Sequence, residues 1–161
     1  MVIVCESKTG FTMKYANMLS QKTGLKVFPT KELDKVGSDE EVIFFGWMKA
    51  GMIQGLKKMK KHNVIAICAT GTARNAEPDD ETVMARNNIK DIPFFYMRGG
   101  CLTLKQMKGM DKFLMSLFVK MLKSKKDKDE ELIEAISNIE NGFDGVKEEN
   151  LAPLLKWLSE R

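Results

Sequence analysis

The chain has 161 residues, of which 30% are charged and 43% hydrophobic. This ordinary globular mix excludes a disordered tail, a collagen-like fibre and a disulfide-stapled mini-protein. Lys and Arg number 26 against 22 Asp and Glu, a net charge of +4 that is mildly basic and selects no partner by itself.

The elements alternate between two periods. Val2–Cys5 is a short apolar, β-branched run, the pattern of a strand buried on both faces. Phe11, Tyr15, Met18 and Leu19 recur at helical spacing as far as Gly24, placed to end a helix. Leu25–Phe28 reads as a second strand closed by Pro29, and residues 30–40 as a polar connection turning at Gly37. Glu41–Gly46 is the third strand, Gly51–Lys61 a basic helix, and Asn63–Ala69 the fourth strand. Asp79–Lys90 opens with acids that suit a helix N-terminus. Ile92–Met97 is the fifth strand, its Pro93 fitting an end or an edge.

Strands alternating with helices predict an α/β fold, a parallel sheet covered by helices on both faces. Beyond residue 100 the chain turns helical. Met110, Phe113, Leu114, Leu117, Phe118, Met121 and Leu122 form a wide stripe, expected mainly to pack in a core; a basic amphipathic helix of this kind also suits an anionic membrane surface. Lys123–Glu131 reads as a solvated junction, Leu132–Ile139 as another helix, and Asn150 as the cap of a last one. A single domain over 1–161 is expected, with a helical extension over about 103–161.

Cys5, Cys68 and Cys101 are odd in number and widely spaced, so neither a disulfide framework nor a zinc site is indicated. The first two lie in apolar runs and read as buried free thiols. The N-terminus MVIVCESKTG has no basic leader or cleavage site, and no apolar run approaches a spanning helix. A cytoplasmic location is expected. The cations form no dense stripe interleaved with aromatics, so nucleic acid is not an expected partner. His62, the sole histidine, ends the Lys-rich run 57–61 and reads as a helix-terminal cation.

Ser7-Lys8-Thr9-Gly10-Phe11-Thr12 is the most informative stretch. It joins a buried strand to a helix N-terminus, where unpaired amides and the helix dipole favour an anion. Gly10 permits close approach of the backbone, and the hydroxyls of Ser7, Thr9 and Thr12 can donate to a phosphate. The same residues also read as an ordinary capped turn. Neither a Walker loop nor a dinucleotide-binding glycine turn occurs here.

Ser7-x-Thr9-Gly10-x-Thr12 directly after the first strand resembles the phosphate loop of flavodoxins, and the five-strand order agrees. Phe44-Phe45-Gly46, Ala50-Gly51, Leu56-Lys57-Lys58 and Arg98-Gly99-Gly100 before a Met- and Phe-rich helix resemble the branch that includes menaquinone-dependent protoporphyrinogen oxidase. The resemblance covers most of residues 1–122 and implies a flavodoxin-like three-layer sandwich, with a five-stranded parallel sheet in the order 2-1-3-4-5. It also implies FMN at the carboxyl ends of the strands, at the switch point.

By the same resemblance, Ser7, Lys8, Thr9, Gly10, Phe11 and Thr12 would hold the phosphate. The loop Gly46, Trp47, Met48, Lys49, Ala50 and Gly51 would pass one side of the flavin ring, and Thr70, Gly71, Thr72, Ala73, Arg74 and Asn75 would approach its pyrimidine edge. Lys49 stands where such relatives often carry Tyr, so the resemblance implies either that Trp47 supplies the stacking or that the ring is more exposed. The flavin, not a side chain, would carry the chemistry, and no metal is implied. The implied partner is a redox protein, or a small organic molecule or quinone. Electron carrier, small FMN-dependent oxidoreductase and cofactor-free scaffold are the alternatives. A basic chain departs from the usual acidity of flavodoxin carriers.

Overall fold

The computed structural model describes residues 1–161, apart from the side chain of Glu131. In chain order the elements are β1 (Val2–Glu6), α1 (Phe11–Thr23), β2 (Val27–Pro29), a 3-10 turn (Thr30–Lys35), β3 (Glu41–Lys49), β4 (Met52–Ile53), a second 3-10 turn (Leu56–Lys61), β5 (Asn63–Gly71), α2 (Asp80–Arg86), β6 (Phe94–Arg98), β7 (Gly100–Cys101), α3 (Gly109–Lys123), α4 (Glu130–Asn141), β8 (Phe143–Asp144), a third 3-10 turn (Glu148–Leu151) and α5 (Ala152–Ser159). They form two compact units, Met1–Gly99 with Val146–Arg161, and Gly100–Gly145.

The first unit is built on the parallel strands β2-β1-β3-β5-β6, with β4 antiparallel on β3. Counted among themselves, the five parallel strands run 2-1-3-4-5, and the unit is a flavodoxin-like α/β sandwich. Side chains alternate across each strand. Val2, Val4, Val42, Phe44, Ile67 and Ala69 enter one core layer, and Ile3, Cys5, Ile43, Phe45, Ala66 and Cys68 the other. The two-sided burial explains why these strands read as continuous apolar runs. An extra residue in β5 shifts its register between Val42 and Ile43 of β3.

The second layer is covered by Tyr15, Ala16 and Leu19 of α1 and by Leu154 of α5. Residues 146–161 thus return to the sheet, and the extension expected over 103–161 is confined to the other unit. The first layer is covered by shorter pieces, with Val36, Met59 and Val83 turned onto it. The helix expected over 51–61 is therefore a hairpin strand followed by a 3-10 turn. Gly51 and Gly55, at φ 76° and 84°, break any continuous α-helix there. The helix expected over 79–90 stops at Arg86, because Asn88 and Asp91 both take positive φ.

Burial holds the Cys5 thiol unreactive: desolvation, reinforced by the neighbouring Glu6 charge, pushes its pKa up to about 12. Desolvation, with a smaller contribution from the neighbouring Cys5, raises Cys68 as well, and all three thiols are free. A thiol reagent should therefore modify only the half-buried Cys101 in the native protein, and Cys5 and Cys68 only after denaturant. Counting modified thiols by mass before and after unfolding checks this; three modified in the native state would contradict the closed sheet.

In the second unit, Asp129 caps α4 by accepting from the Leu132 amide at 2.8 Å. Val119 and Leu122 of α3 pack with Ile136 of α4, supported by Leu104, Leu132 and Ile139. The unit's ends join as the antiparallel pair β7–β8. Gly142, at φ 68°, belongs there: a Cβ would stand 2.8 Å from the Cys101 carbonyl oxygen. The wide stripe expected to pack in a core does not do so. Apart from Leu122, its residues are exposed, since α3 meets α4 through its opposite side. Among the described residues, no helix is long and apolar enough to cross a membrane.

Candidate functional site

Chain connections run from β1 outward to β2, then back across β1 to β3, so strand order reverses between β1 and β3. In open α/β sheets this reversal leaves a crevice beyond the carboxyl ends of the strands. The segments after β1, β3 and β5 lie there, and these are the segments singled out from sequence.

The first begins after Glu6. Burial pushes the Glu6 carboxyl up, but hydrogen bonds from Lys58 and Thr30 and the Lys58 charge outweigh it and hold the group below its usual range. Lys58 Nζ stands 2.8 Å from Glu6 Oε2. Ser7 then turns inward, its Oγ accepting from the Gly10 amide at 3.2 Å and the Met13 amide at 3.4 Å. Gly10 caps α1 in a left-handed conformation, φ 94°, and a Cβ there would meet nothing within 4 Å. The mouth of the loop is therefore open, and Lys8, Thr9 and Gly10 are exposed. No acid lies in the first turn of α1, so the positive end of its dipole is not offset from within the helix.

Thr12 faces inward. Its hydroxyl is 2.6 Å from that of Thr70, and both residues are buried. This pair ties the start of α1 to the end of β5. Gly99 reinforces the junction, its amide donating to the Gly71 carbonyl at 2.7 Å. On the other side, the Lys8 ammonium lies 5.4 Å from the centre of the Trp47 ring. Trp47 is half-buried and paired in register with Thr70. The Thr12–Thr70 pair, the Lys8–Trp47 contact and the Trp47–Thr70 register thus bring Ser7–Thr12, Trp47 and Thr70–Gly71 together.

The stretch Gly46–Gly51, expected as a loop, is mostly strand. β3 continues to Lys49, turns at Ala50 and Gly51 with φ 50° and 76°, and returns as β4. Positive φ at both turn residues is the geometry of a tight hairpin. Gly46 is buried in this strand, where a Cβ would stand 2.6 Å from Ile53 Cγ2 and 2.7 Å from the Gln54 oxygen. Its missing side chain serves hairpin packing. Met48 is half-buried, while Lys49 and Ala50 are exposed at the tip. β5 likewise runs on through Thr70 and Gly71, leaving Thr72, Ala73 and Arg74 in the connection that follows.

Three positioning residues escaped sequence reasoning. Tyr96 donates its hydroxyl to the Ala73 carbonyl at 2.8 Å and so pins the segment after β5; burial, then the Glu77 charge, raises its pKa and keeps it a neutral donor. Asn87 accepts from the Ile53 amide and donates to the Gly51 carbonyl, both at 2.8 Å, fastening the hairpin to the end of α2. Buried Tyr15 donates to the Arg98 carbonyl at 2.7 Å and accepts from the Lys147 amide at 3.3 Å and the Asn150 side chain at 2.5 Å. Asn150 is thus spent on Tyr15 instead of capping a helix. The available signal was general: a buried Tyr hydroxyl needs a partner.

Asn87→Ala should lower stability by about 1–3 kcal/mol, because the Ile53 amide and Gly51 carbonyl lose their partner. Denaturant unfolding checks this, and hydrogen exchange at Ile53 should rise with it. His62, expected as a helix-terminal cation, ends the second 3-10 turn, its amide donating to Met59 at 2.9 Å.

The chain matches no model of a known protein family, and no curated protein matches it.

Proposed function

We propose that this chain binds FMN non-covalently and transfers electrons through it. One observation carries the reading: Ser7–Thr12, Trp47 and Thr70–Gly71 meet where strand order reverses, beneath an open, acid-free helix N-terminus. The donor set suits a phosphomonoester. The amides at the start of α1, the exposed Thr9 hydroxyl and the Lys8 ammonium would bind it, with Ser7 ordering the turn. Thr12 and Thr70 would act by holding the loop to the sheet. Trp47 and Met48 would flank the ring, and the backbone of Gly71–Arg74, pinned by Tyr96, would offer hydrogen bonds to its edge.

Bound there, FMN would supply reversible electron transfer, its potential tuned by those backbone groups. Three free thiols accord with a reducing, cytoplasmic setting, which belongs to this reading. The test is to add FMN to the purified chain and follow flavin fluorescence. Saturable quenching is expected, and its absence would remove the proposal. Turnover of a quinone by the loaded protein would then assign an oxidoreductase, and exchange only with another redox protein would assign a carrier.

A further inference from the structure

We propose that α3 docks flat on an anionic lipid bilayer surface. Its outward face carries Met110, Phe113, Leu114, Leu117, Phe118 and Met121 at spacings of three and four, one stripe along the helix. These side chains are far from buried: Met110 is 69% exposed, Phe113 63% and Leu117 57%. A run of large exposed apolar side chains on one helix marks an interaction surface. The helix does not owe its fold to the stripe, since Val119 and Leu122 on its other side pack with α4.

Charge identifies the occupant. Residues 105–128 hold eight lysines and two aspartates. The acids of the unit are concentrated instead on residues 129–144, in and around the helix behind α3. Lys120 lies beside the stripe, and Lys125, Lys126 and Lys128 follow its end, all exposed. A second copy laid on this face would bring two lysine-rich helices together, a like-charge contact. A surface that is apolar inside and negative outside satisfies both features: Phe, Leu and Met enter the acyl boundary while the lysines meet headgroup phosphates. The helix is too short and too charged to span, which fits an in-plane position.

The inference is independent of flavin binding, and its test reads the same with or without FMN. The full-length chain is mixed with vesicles of phosphatidylcholine containing phosphatidylglycerol, or of phosphatidylcholine alone, and bound protein is measured by flotation. Binding to the anionic vesicles is expected to be at least about tenfold tighter and to weaken as salt rises. Phe113→Glu with Leu117→Glu, both at exposed positions, should reduce it by about tenfold or more. Lys120→Gln with Lys125→Gln and Lys126→Gln keeps the stripe intact and should reduce binding by about ten- to a hundredfold on anionic vesicles only. The proposal is overturned if neither vesicle floats the protein, or if both variants float like the parent. It is also overturned if light scattering finds a dimer that Phe113→Glu with Leu117→Glu dissociates while vesicles capture nothing, since a second copy would then cover the stripe.

Discussion

Tyr15→Phe is expected to lower the stability of the sheet unit by about 2–4 kcal/mol. The ring stays in the core, so packing is conserved and only the hydroxyl is lost. That hydroxyl serves the Arg98 carbonyl, the Lys147 amide and the Asn150 side chain. Removing it takes a buried partner from each at once, and each group left unsatisfied costs about 1–3 kcal/mol. The loss should centre on the returning segment, because Lys147 and Asn150 begin the stretch that brings Leu151 and Leu154 into the core. Denaturant unfolding measures the size of the effect. Hydrogen exchange measures its place: amides of Glu148–Ser159 should gain exchange before those of β1 and β3. An unchanged midpoint would mean that α5 is held by apolar packing alone.

The second large effect concerns the first loop. Ser7→Ala with Thr9→Ala should weaken FMN about ten- to a hundredfold and leave riboflavin affinity unchanged, since only FMN carries the phosphate. The two side chains act differently. Thr9 is exposed and would donate directly, whereas Ser7 accepts from the Gly10 and Met13 amides and so shapes the turn. Thr12 is a poor choice for this test. Its hydroxyl is shared with Thr70 in the interior, and a change there loosens α1 from β5 whatever the ligand. Isothermal titration with the two flavins decides the matter: equal losses for both would contradict a phosphate role for the loop.

The sheet could be read from sequence because its central strands are buried on both faces and carry no polar interruption. Val2–Cys5 and Val42–Phe45 are of this kind. Gly24 also marked the end of α1 correctly, with φ 73° beyond the last turn. The hairpin at Trp47–Ile53 could not be read so easily. β4 has two residues, and a period of two needs more than that to appear. Met52, Leu56 and Met59 happen to repeat at helical spacing, while positive φ at Gly51 and Gly55 breaks the helix they imitate.

The stripe on α3 was visible as a stripe, but apolar periodicity does not say what covers it. Only packing shows that Val119 and Leu122 face α4 while Phe113 and Leu117 face outward. At the candidate site, residue types along Ser7–Thr12 were legible. The division of labour among them was not, because the Thr12–Thr70 pair joins residues 58 positions apart. Tyr96 and Asn87 also act on residues remote in sequence, across 23 positions to the Ala73 carbonyl and 34 to the Ile53 amide of the hairpin.

Titration of the unaltered chain with FMN and with riboflavin, followed by flavin fluorescence, decides whether the chain holds a flavin by its phosphate. Saturable quenching of FMN fluorescence at one flavin per chain is expected, with riboflavin binding weaker by about a hundredfold or more, the contribution of charge-assisted bonds to the phosphate. Fluorescence that stays unquenched by the protein would contradict the account, as would equal affinities for the two flavins.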